Sequence, residues 1–211
     1  MRTARELQGE LVAGNLFDKY GSRNPVVRRL VRGFDRALFE LLATVGRVER
    51  VLEVGCGEGH VTAKLARHFP DARVVGTDRS SEIISHARQL HGGIEFRVCS
   101  IYDVGDTGPW DLVVASEVFE HLEEPERALD AVCRAASGHV LITVPREPLW
   151  RILNVARGHY WSSLGNTPGH VQHWSRGALL RFLEPRLDVV GTRTPLPWIQ
   201  VLGLPRGSAA P

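Results

Sequence analysis

The sequence predicts an α/β protein with a doubly wound, mostly parallel sheet of about seven strands and helices on both faces. Short apolar runs of strand length alternate with amphipathic runs of helical period, a pattern typical of parallel strands joined by helices. A glycine-rich turn over residues 55–59 follows the first apolar run. Two short extended runs near the C-terminus predict an antiparallel hairpin at the sheet edge.

The first predicted helix begins near residue 25, because Asn24 and Pro25 are a favoured N-cap and first helical residue. Its apolar residues recur at helical spacing: Val27, Leu30, Val31, Phe34, Leu38, Leu41 and Leu42. Its other side carries four arginines: Arg28, Arg29, Arg32 and Arg36. We expect these arginines to form a solvated face, and an anion-binding face is the alternative interpretation.

Strands and helices then alternate along the chain. The strands are predicted near residues 50–54, 73–77, 94–98, 111–115 and 139–144, and the helices near 60–68, 80–90, 124–136 and 175–183. The fifth strand ends at Pro145, and residues 146–174 are too long for an ordinary connection, which indicates a functional segment. The hairpin is expected near residues 186–194 and 197–203, followed by a frayed tail from Pro205 to Pro211.

Composition excludes several classes of protein. The net charge of +2 gives no large field for attracting nucleic acid or a membrane surface. Three widely spaced cysteines favour a reducing compartment without a disulfide framework. The N-terminus lacks the apolar core of a signal peptide, and no apolar run reaches the roughly 18–20 residues that span a bilayer. We therefore expect a soluble, cytoplasmic protein with no membrane span.

The residues around the glycine-rich turn predict a nucleotide-like cofactor. A dinucleotide fingerprint would need a glycine at position 60, which is His60. Glu53 precedes the glycines and suits an ammonium group better than a diphosphate. Asp78 ends the second strand, nineteen residues after Gly59, where a carboxylate can accept both hydroxyls of a ribose. An ammonium group and a ribose without phosphate describe S-adenosylmethionine.

Three segments with these features resemble motifs of the class I S-adenosylmethionine-dependent methyltransferases, in particular the small-molecule members of type 11/12. Residues 51–59 are similar to the first motif of that family and residues 75–78 to the second. Residues 111–122 are similar to its fourth strand and the loop that follows. The resemblance implies a Rossmann-like fold and a methyl-transferring enzyme that uses S-adenosyl-L-methionine.

The resemblance also implies which residues hold the cofactor. Glu53 would bind the methionine amino group, Asp78 the ribose hydroxyls, and Arg79 would flank the adenine. The other implied cofactor residues are Gly55, Cys56, Gly57, Ser100, Ile101 and Glu117, with Cys56 acting as a small filler and not as a nucleophile. Many family members have an aspartate where this chain has Ser100. The adenine contact is therefore expected from the Ser100 hydroxyl, the Ile101 backbone or Asp103.

Glu117, Glu120 and His121 form a second cluster. Their i, i+3, i+4 spacing would place them on one face of a helix, where they could bind a divalent metal or supply a general base. The segment resembles a Glu-x-x-Glu-His motif of magnesium-dependent RNA 2′-O-methyltransferases and of O-methyltransferases of ubiquinone biosynthesis. His170, four residues before Trp174, matches a distant metal-binding histidine of the RNA group. The same motif occurs in metal-free relatives, so we expect no metal and keep these four residues as the alternative site.

Segment 146–174 carries the third cluster: Trp150, His159, Tyr160, Trp161, His170, His173 and Trp174. Aromatic side chains can form the wall of an acceptor pocket and exclude water, although several tryptophans are expected only to pack the segment onto the sheet. His121 is the first candidate for a general base, followed by His170 and His173. Ser175 is expected to cap the next helix.

Taken together, these features predict one domain over residues 1–211. It comprises an N-terminal helical cap (1–45), a cofactor-binding core (46–145), an acceptor-side insertion (146–174) and a C-terminal helix with the edge hairpin (175–204). We expect methyl transfer to a hydroxyl or amine of a small-molecule acceptor, without a nucleic-acid partner. A metal-dependent RNA 2′-O-methyltransferase and an inactive cofactor-binding regulatory subunit are the alternatives, and the oligomeric state stays open.

Overall fold

Seven strands form a single mixed sheet in the computed structural model, which describes residues 23–150 and 170–207. The strands are β1 (Arg50–Val54), β2 (Arg73–Asp78), β3 (Glu95–Val98), β4 (Trp110–Ser116), β5 (Ala136–Pro145), β6 (Leu187–Arg193) and β7 (Trp198–Pro205). Their order across the sheet is β3-β2-β1-β4-β5-β7-β6. The first five strands in this order are parallel, and β7 runs antiparallel to both of its neighbours. The predicted fold class is confirmed.

The strand order determines where a ligand can bind. The winding direction reverses between β1 and β4, which are neighbours with Val54 opposite Ala115. In open α/β sheets the ligand site lies at the carboxyl ends of the strands, next to such a reversal. Because β7 is antiparallel, its first residue, Trp198, lies opposite Pro145 at this same edge.

Five α-helices accompany the sheet in the described residues: α1 (Pro25–Leu42), α2 (His60–His68), α3 (Ser81–Leu90), α4 (Pro125–Ala135) and α5 (Arg176–Leu183). Asn24 caps α1, since its side-chain oxygen accepts the backbone N–H of Val26 at 2.9 Å. The Ser175 hydroxyl likewise accepts the N–H of Ala178 at 3.2 Å. Both predicted caps are confirmed.

The core has two layers because successive side chains of a strand point to opposite faces of the sheet. Leu112 and Val114 of β4 pack on the face covered by α1 and α2. Val113 and Ala115 pack on the other face, which α4 and α5 cover. The four arginines of α1 named above are exposed, as expected for a solvated face.

Two predicted boundaries are wrong. Strand β5 starts at Ala136, three residues before the predicted start, because α4 ends directly before it and Ala136 already pairs with Trp110. Pro205 belongs to β7 and not to a tail, since it pairs with Leu187 of β6. Residues 1–22, which fall in the predicted cap, lie outside the described residues, and the division into segments stays a prediction.

None of the helices in residues 23–150 and 170–207 combines the length and apolar character needed to cross a membrane.

Candidate active site

The glycine-rich turn between β1 and α2 has three glycines with positive φ, which are Gly55, Gly57 and Gly59. Gly55 and Gly57 have positive φ angles of 65° and 54°, which side-chain-bearing residues rarely adopt. A Cβ on Gly55 would lie 2.5 Å from Val118 Cγ2, so the turn packs directly against the loop after β4. A Cβ on Gly57 would meet no atom within 4 Å. Gly57 therefore leaves its backbone open to a ligand.

Glu53 presents a buried carboxylate beneath this turn. Only 2 % of the residue is exposed, and the hydroxyl of Thr62 in α2 donates a hydrogen bond to its Oε2. The Thr77 hydroxyl also donates to the backbone carbonyl of Glu53, at 3.1 Å. A buried carboxylate is costly unless it is hydrogen-bonded, so Thr62 stabilises the charged form. Sequence reasoning missed Thr62 because no recognised motif includes it.

Asp78 joins the end of β2 to the glycine-rich turn. Its Oδ2 accepts the backbone N–H of Gly57 at 3.1 Å, and its Oδ1 accepts that of Ser80 at 3.0 Å. The Cys56 N–H donates to the Thr77 carbonyl at 2.8 Å, which adds a backbone link. The structure thus places Glu53, Gly57 and Asp78 around one cradle, and their binding of the cofactor stays a prediction.

The remaining predicted cofactor residues differ in burial and in their hydrogen bonds. Burial, reinforced by the carboxylates of Glu53 and Asp78, raises the pKa of the Cys56 thiol, so the reactive thiolate is disfavoured. Arg79 is exposed beside Asp78. The Ser100 hydroxyl accepts the N–H of Tyr102 at 3.3 Å and caps a 3-10 turn over Ile101–Asp106. Ile101 is buried and Asp103 is exposed. Their roles at the adenine stay predictions.

The expectation that Glu117, Glu120 and His121 share one helical face is wrong. Only Phe119–His121 is helical, as a 3-10 turn, and Glu117 precedes it with a φ of 57°. It is the one residue other than glycine with positive φ among those described. The Glu117 carboxylate accepts the indole N–H of Trp198 at 2.6 Å.

Glu120, His121 and His170 do come together. One ligand atom from each lies within 4.8 Å of the others, so three of the four alternative metal ligands form a group and Glu117 stands outside it. The rings of His121 and His170 are 4.9 Å apart. The Glu120 carbonyl accepts the N–H groups of Val171 and Gln172 at 2.8 and 3.0 Å, which fixes the two segments together.

The histidines differ in their surroundings. Burial, followed by the neighbouring charges of His121 and His173, lowers the pKa of His170 to about 4. His170 is therefore neutral near pH 7. His173 is exposed, and its Nδ1 lies 3.8 Å from Glu147 Oε1, so it is not part of the three-residue group.

Aromatic rings continue from the histidine pair. Trp150 stacks on His170 with a centroid distance of 6.2 Å and also lies 5.9 Å from Trp198. Trp174 is buried in the core and packs against Phe182 at 4.8 Å, which is a structural role. His159, Tyr160 and Trp161 lie outside the described residues. Sequence reasoning missed Trp198. The predicted antiparallel hairpin was an available signal, because the last strand of that hairpin starts at the edge where the parallel strands end.

Comparison with known proteins shows the family of the chain. The sequence profile of the family described as "Methyltransferase domain" matches residues 26–186, and the chain belongs to this family. This membership confirms the predicted class, the S-adenosylmethionine-dependent methyltransferases.

Several curated relatives are similar over part of their length. A trans-aconitate 2-methyltransferase of Variovorax paradoxus (strain S110) is 35% identical over 155 residues, covering 68% of this chain and 60% of the relative. A second one, from Azoarcus sp. (strain BH72), is 32% identical over 136 residues, covering 61% and 54%. A ubiquinone biosynthesis O-methyltransferase of Xanthomonas oryzae pv. oryzae is 31% identical over 166 residues, covering 71% and 67%. The chain thus spans a little over half the length of the trans-aconitate relatives.

Solved structures share the fold. The magnesium protoporphyrin IX methyltransferase of Synechocystis PCC 6803 with bound SAH aligns with a TM-score of 0.64 at 19% identity, over 88% of this chain and 89% of that one. The N-methyltransferase NodS of Bradyrhizobium japonicum WM9, in complex with S-adenosyl-L-homocysteine, aligns at 0.59 and 20% identity, over 88% and 90%.

Proposed function

We propose that this chain transfers a methyl group from S-adenosylmethionine to a hydroxyl or amine of a small-molecule acceptor. The observation that carries the proposal is the contact between Gly55 and Val118, because it joins the cofactor cradle to the loop that bears His121. The cradle and the histidine pair consequently meet at one edge of the sheet, where the winding reverses.

The residues of the cradle fit the cofactor. Glu53 offers a buried carboxylate for the amino group, Gly57 offers an unobstructed backbone, and Asp78 offers carboxylate oxygens for the ribose. When bound, the cofactor supplies a methyl group activated by its sulfonium. The protein's contribution is to orient the acceptor toward that methyl group and to exclude water.

A hydroxyl acceptor requires a base, and the histidine pair can provide one. The pKa of about 4 makes His170 a weak base. Its neutral ring is better suited to orienting the acceptor or the neighbouring His121 ring. His121, whose ring is 4.9 Å away, remains the first candidate for removing the hydroxyl proton. An amine acceptor would need little help from a base.

Two observations support a small-molecule acceptor. The Trp150 ring stacked on His170 offers an aromatic wall next to the candidate base. The curated relatives named above are methyltransferases of trans-aconitate and of ubiquinone biosynthesis, and the net charge of +2 provides no strong field for gripping an RNA backbone.

A metal-dependent reaction is the second candidate, and the group of Glu120, His121 and His170 favours it. A carboxylate and two imidazoles suit a divalent transition metal, and the lowered pKa keeps His170 neutral for ligation. We nevertheless prefer the metal-free reaction, because Glu117 is engaged by Trp198 and lies outside the group.

Calorimetry on the purified protein tests the proposal, with S-adenosylmethionine, S-adenosylhomocysteine and NAD as ligands. We expect binding of the first two and none of NAD. A screen of methyl-acceptor metabolites with labelled cofactor, with and without magnesium, then identifies the acceptor. Binding of NAD alone would contradict the proposal, and cofactor binding with no turnover across the screen would favour a regulatory subunit.

A further inference from the structure

The backbone around His121 is held by one residue of the segment that carries His170. Gln172 donates its backbone N–H to the Glu120 carbonyl at 3.0 Å, and its side-chain Nε2 donates to the Leu122 carbonyl at 3.2 Å. Glu120 and Leu122 are the residues directly before and after His121. The two bonds therefore fix the chain on both sides of this histidine.

The loop that bears His121 is held less firmly by its own bonds. The N–H of His121 donates to the Val118 carbonyl at 3.0 Å, but the N–H of Leu122 reaches the Phe119 carbonyl only at 3.4 Å. That distance is beyond the usual range of a protein hydrogen bond. The two residues that separate Leu122 from α4 are exposed. The bond from Gln172, 50 positions later in the chain, therefore restrains the end of this loop from outside.

Gln172 lies on a segment that is fixed to the core. Trp174, two residues later, is buried, and its carbonyl accepts the N–H of Glu147 at 2.9 Å. His170 lies two residues before Gln172 on the same segment, and its ring is 4.9 Å from that of His121. The clamp thus joins the two histidines to one rigid support.

We propose that Gln172 is a positioning residue that holds the His121 ring beside His170, where it can take the proton of an acceptor hydroxyl. The inference rests on the proposed function. The Gln172 side chain is an amide and exchanges no proton itself, so its effect is on geometry. A misplacement of about 1 Å at a catalytic group can lower turnover about 10²-fold.

Gln172→Leu is the first test, because leucine is of similar size but has no donor. The backbone bonds from residues 171 and 172 remain in this variant, so the segment should stay in place. In initial-rate assays we expect kcat to fall about 10–100-fold. The KM for the acceptor and the calorimetric affinity for S-adenosylmethionine should change by less than about twofold, because neither depends on the direction of the base.

A double-variant cycle tests whether Gln172 acts through His121. In the His121→Ala background, Gln172→Leu should cause no further loss of turnover, because the ring that Gln172 positions is absent. A second, additive loss in the double variant would show that Gln172 acts by another route.

The arrangement can also be measured without turnover. In protein labelled at histidine, nuclear Overhauser effects between the ring protons of His121 and His170 are expected from their 4.9 Å separation. They should weaken in Gln172→Leu, and unchanged intensities would overturn the proposal.

Gln200→Leu is the matched control. Gln200 is buried, and its Nε2 also donates to a distant backbone carbonyl, that of Phe34 at 3.1 Å, but this bond joins β7 to α1. The control variant should lose stability while keeping kcat and the signals between the histidine rings.

An unchanged kcat in Gln172→Leu overturns the proposal, and so does a normal rate in His121→Ala while the wild-type protein is active. If Gln172→Leu does not fold, Gln172→Glu takes its place in the cycle, since it keeps the shape and sets a carboxylate against the Leu122 carbonyl. Absence of turnover in the wild-type protein across the acceptor screen would instead contradict the proposed function, and the ring signals would still decide whether Gln172 holds His121.

Discussion

Alanine substitutions at Gly57 and Gly55 should separate cofactor binding from folding, because the two glycines have different surroundings. Both have positive φ, and a side chain in that region costs about 1–2 kcal/mol. The Cβ of Gly57→Ala would enter open space in the cradle, whereas that of Gly55→Ala would lie 2.5 Å from the β-branched Val118. Overpacking of that kind adds about 1–3 kcal/mol.

We therefore expect Gly57→Ala to lose about 1–2 kcal/mol of unfolding free energy and Gly55→Ala about 2–5 kcal/mol. Binding should follow the opposite order. The new methyl group of Gly57→Ala occupies the space through which a ligand approaches the backbone, so the affinity for S-adenosylmethionine should fall about tenfold or more beyond any effect of stability.

Urea denaturation and calorimetry measure the two effects separately. Gly93→Ala is the control, since Gly93 has a φ of 86° and a Cβ added to it would meet no atom within 4 Å, but it lies just before β3 at the other edge of the sheet. It should show the backbone cost alone. Wild-type affinity in Gly57→Ala, or equal stability of Gly55→Ala and Gly57→Ala, would refute the reasoning.

Four further outcomes are expected. Asp78→Ala removes the acceptor of the Gly57 N–H and the predicted ribose contact, so calorimetry should show an affinity for S-adenosylmethionine at least about tenfold lower. His121→Ala should reduce turnover about 10²–10⁴-fold in initial-rate assays while leaving cofactor affinity nearly unchanged, and a normal rate would remove it from the mechanism. The folded-state pKa of His170 is lowered from 6.5 to about 4, so the unfolded chain binds the proton more readily between these two pH values. The unfolding free energy should therefore fall as the pH drops from about 6.5 to about 4, and it should fall less in His170→Gln. Activity should survive EDTA, and loss on chelation that magnesium or manganese restores would favour the metal-dependent candidate.

Much of the fold was predictable because its signals are local. Asn24 and Ser175 cap helices through bonds to residues two or three positions away, and the apolar runs of the strands are contiguous. The place of β7 between β5 and β6 is different, since it depends on which strands pair across long stretches of sequence. The start of β5 at Ala136 likewise depended on its partner, Trp110.

The meeting of Glu53, Gly57 and Asp78 at one edge of the sheet was predictable for a related reason. Glu53 and Asp78 lie at the carboxyl ends of β1 and β2, and Gly57 follows β1; parallel strands bring such ends to one edge of the sheet. The meeting of His121 with His170 was also anticipated, from the resemblance and not from spacing. Thr62 could not be singled out, because its role depends on where one side chain points in three dimensions.

By itself, the sequence determined the family and the fold class, since these depend on local periodicity and on motifs of fixed spacing. Only the tertiary structure decided that Glu117 lies outside the group formed by Glu120, His121 and His170. The reason is physical: Glu117 has a left-handed backbone conformation before the 3-10 turn, and the antiparallel strand β7 brings Trp198, 81 residues later in the chain, close enough to donate its indole N–H to the Glu117 carboxylate.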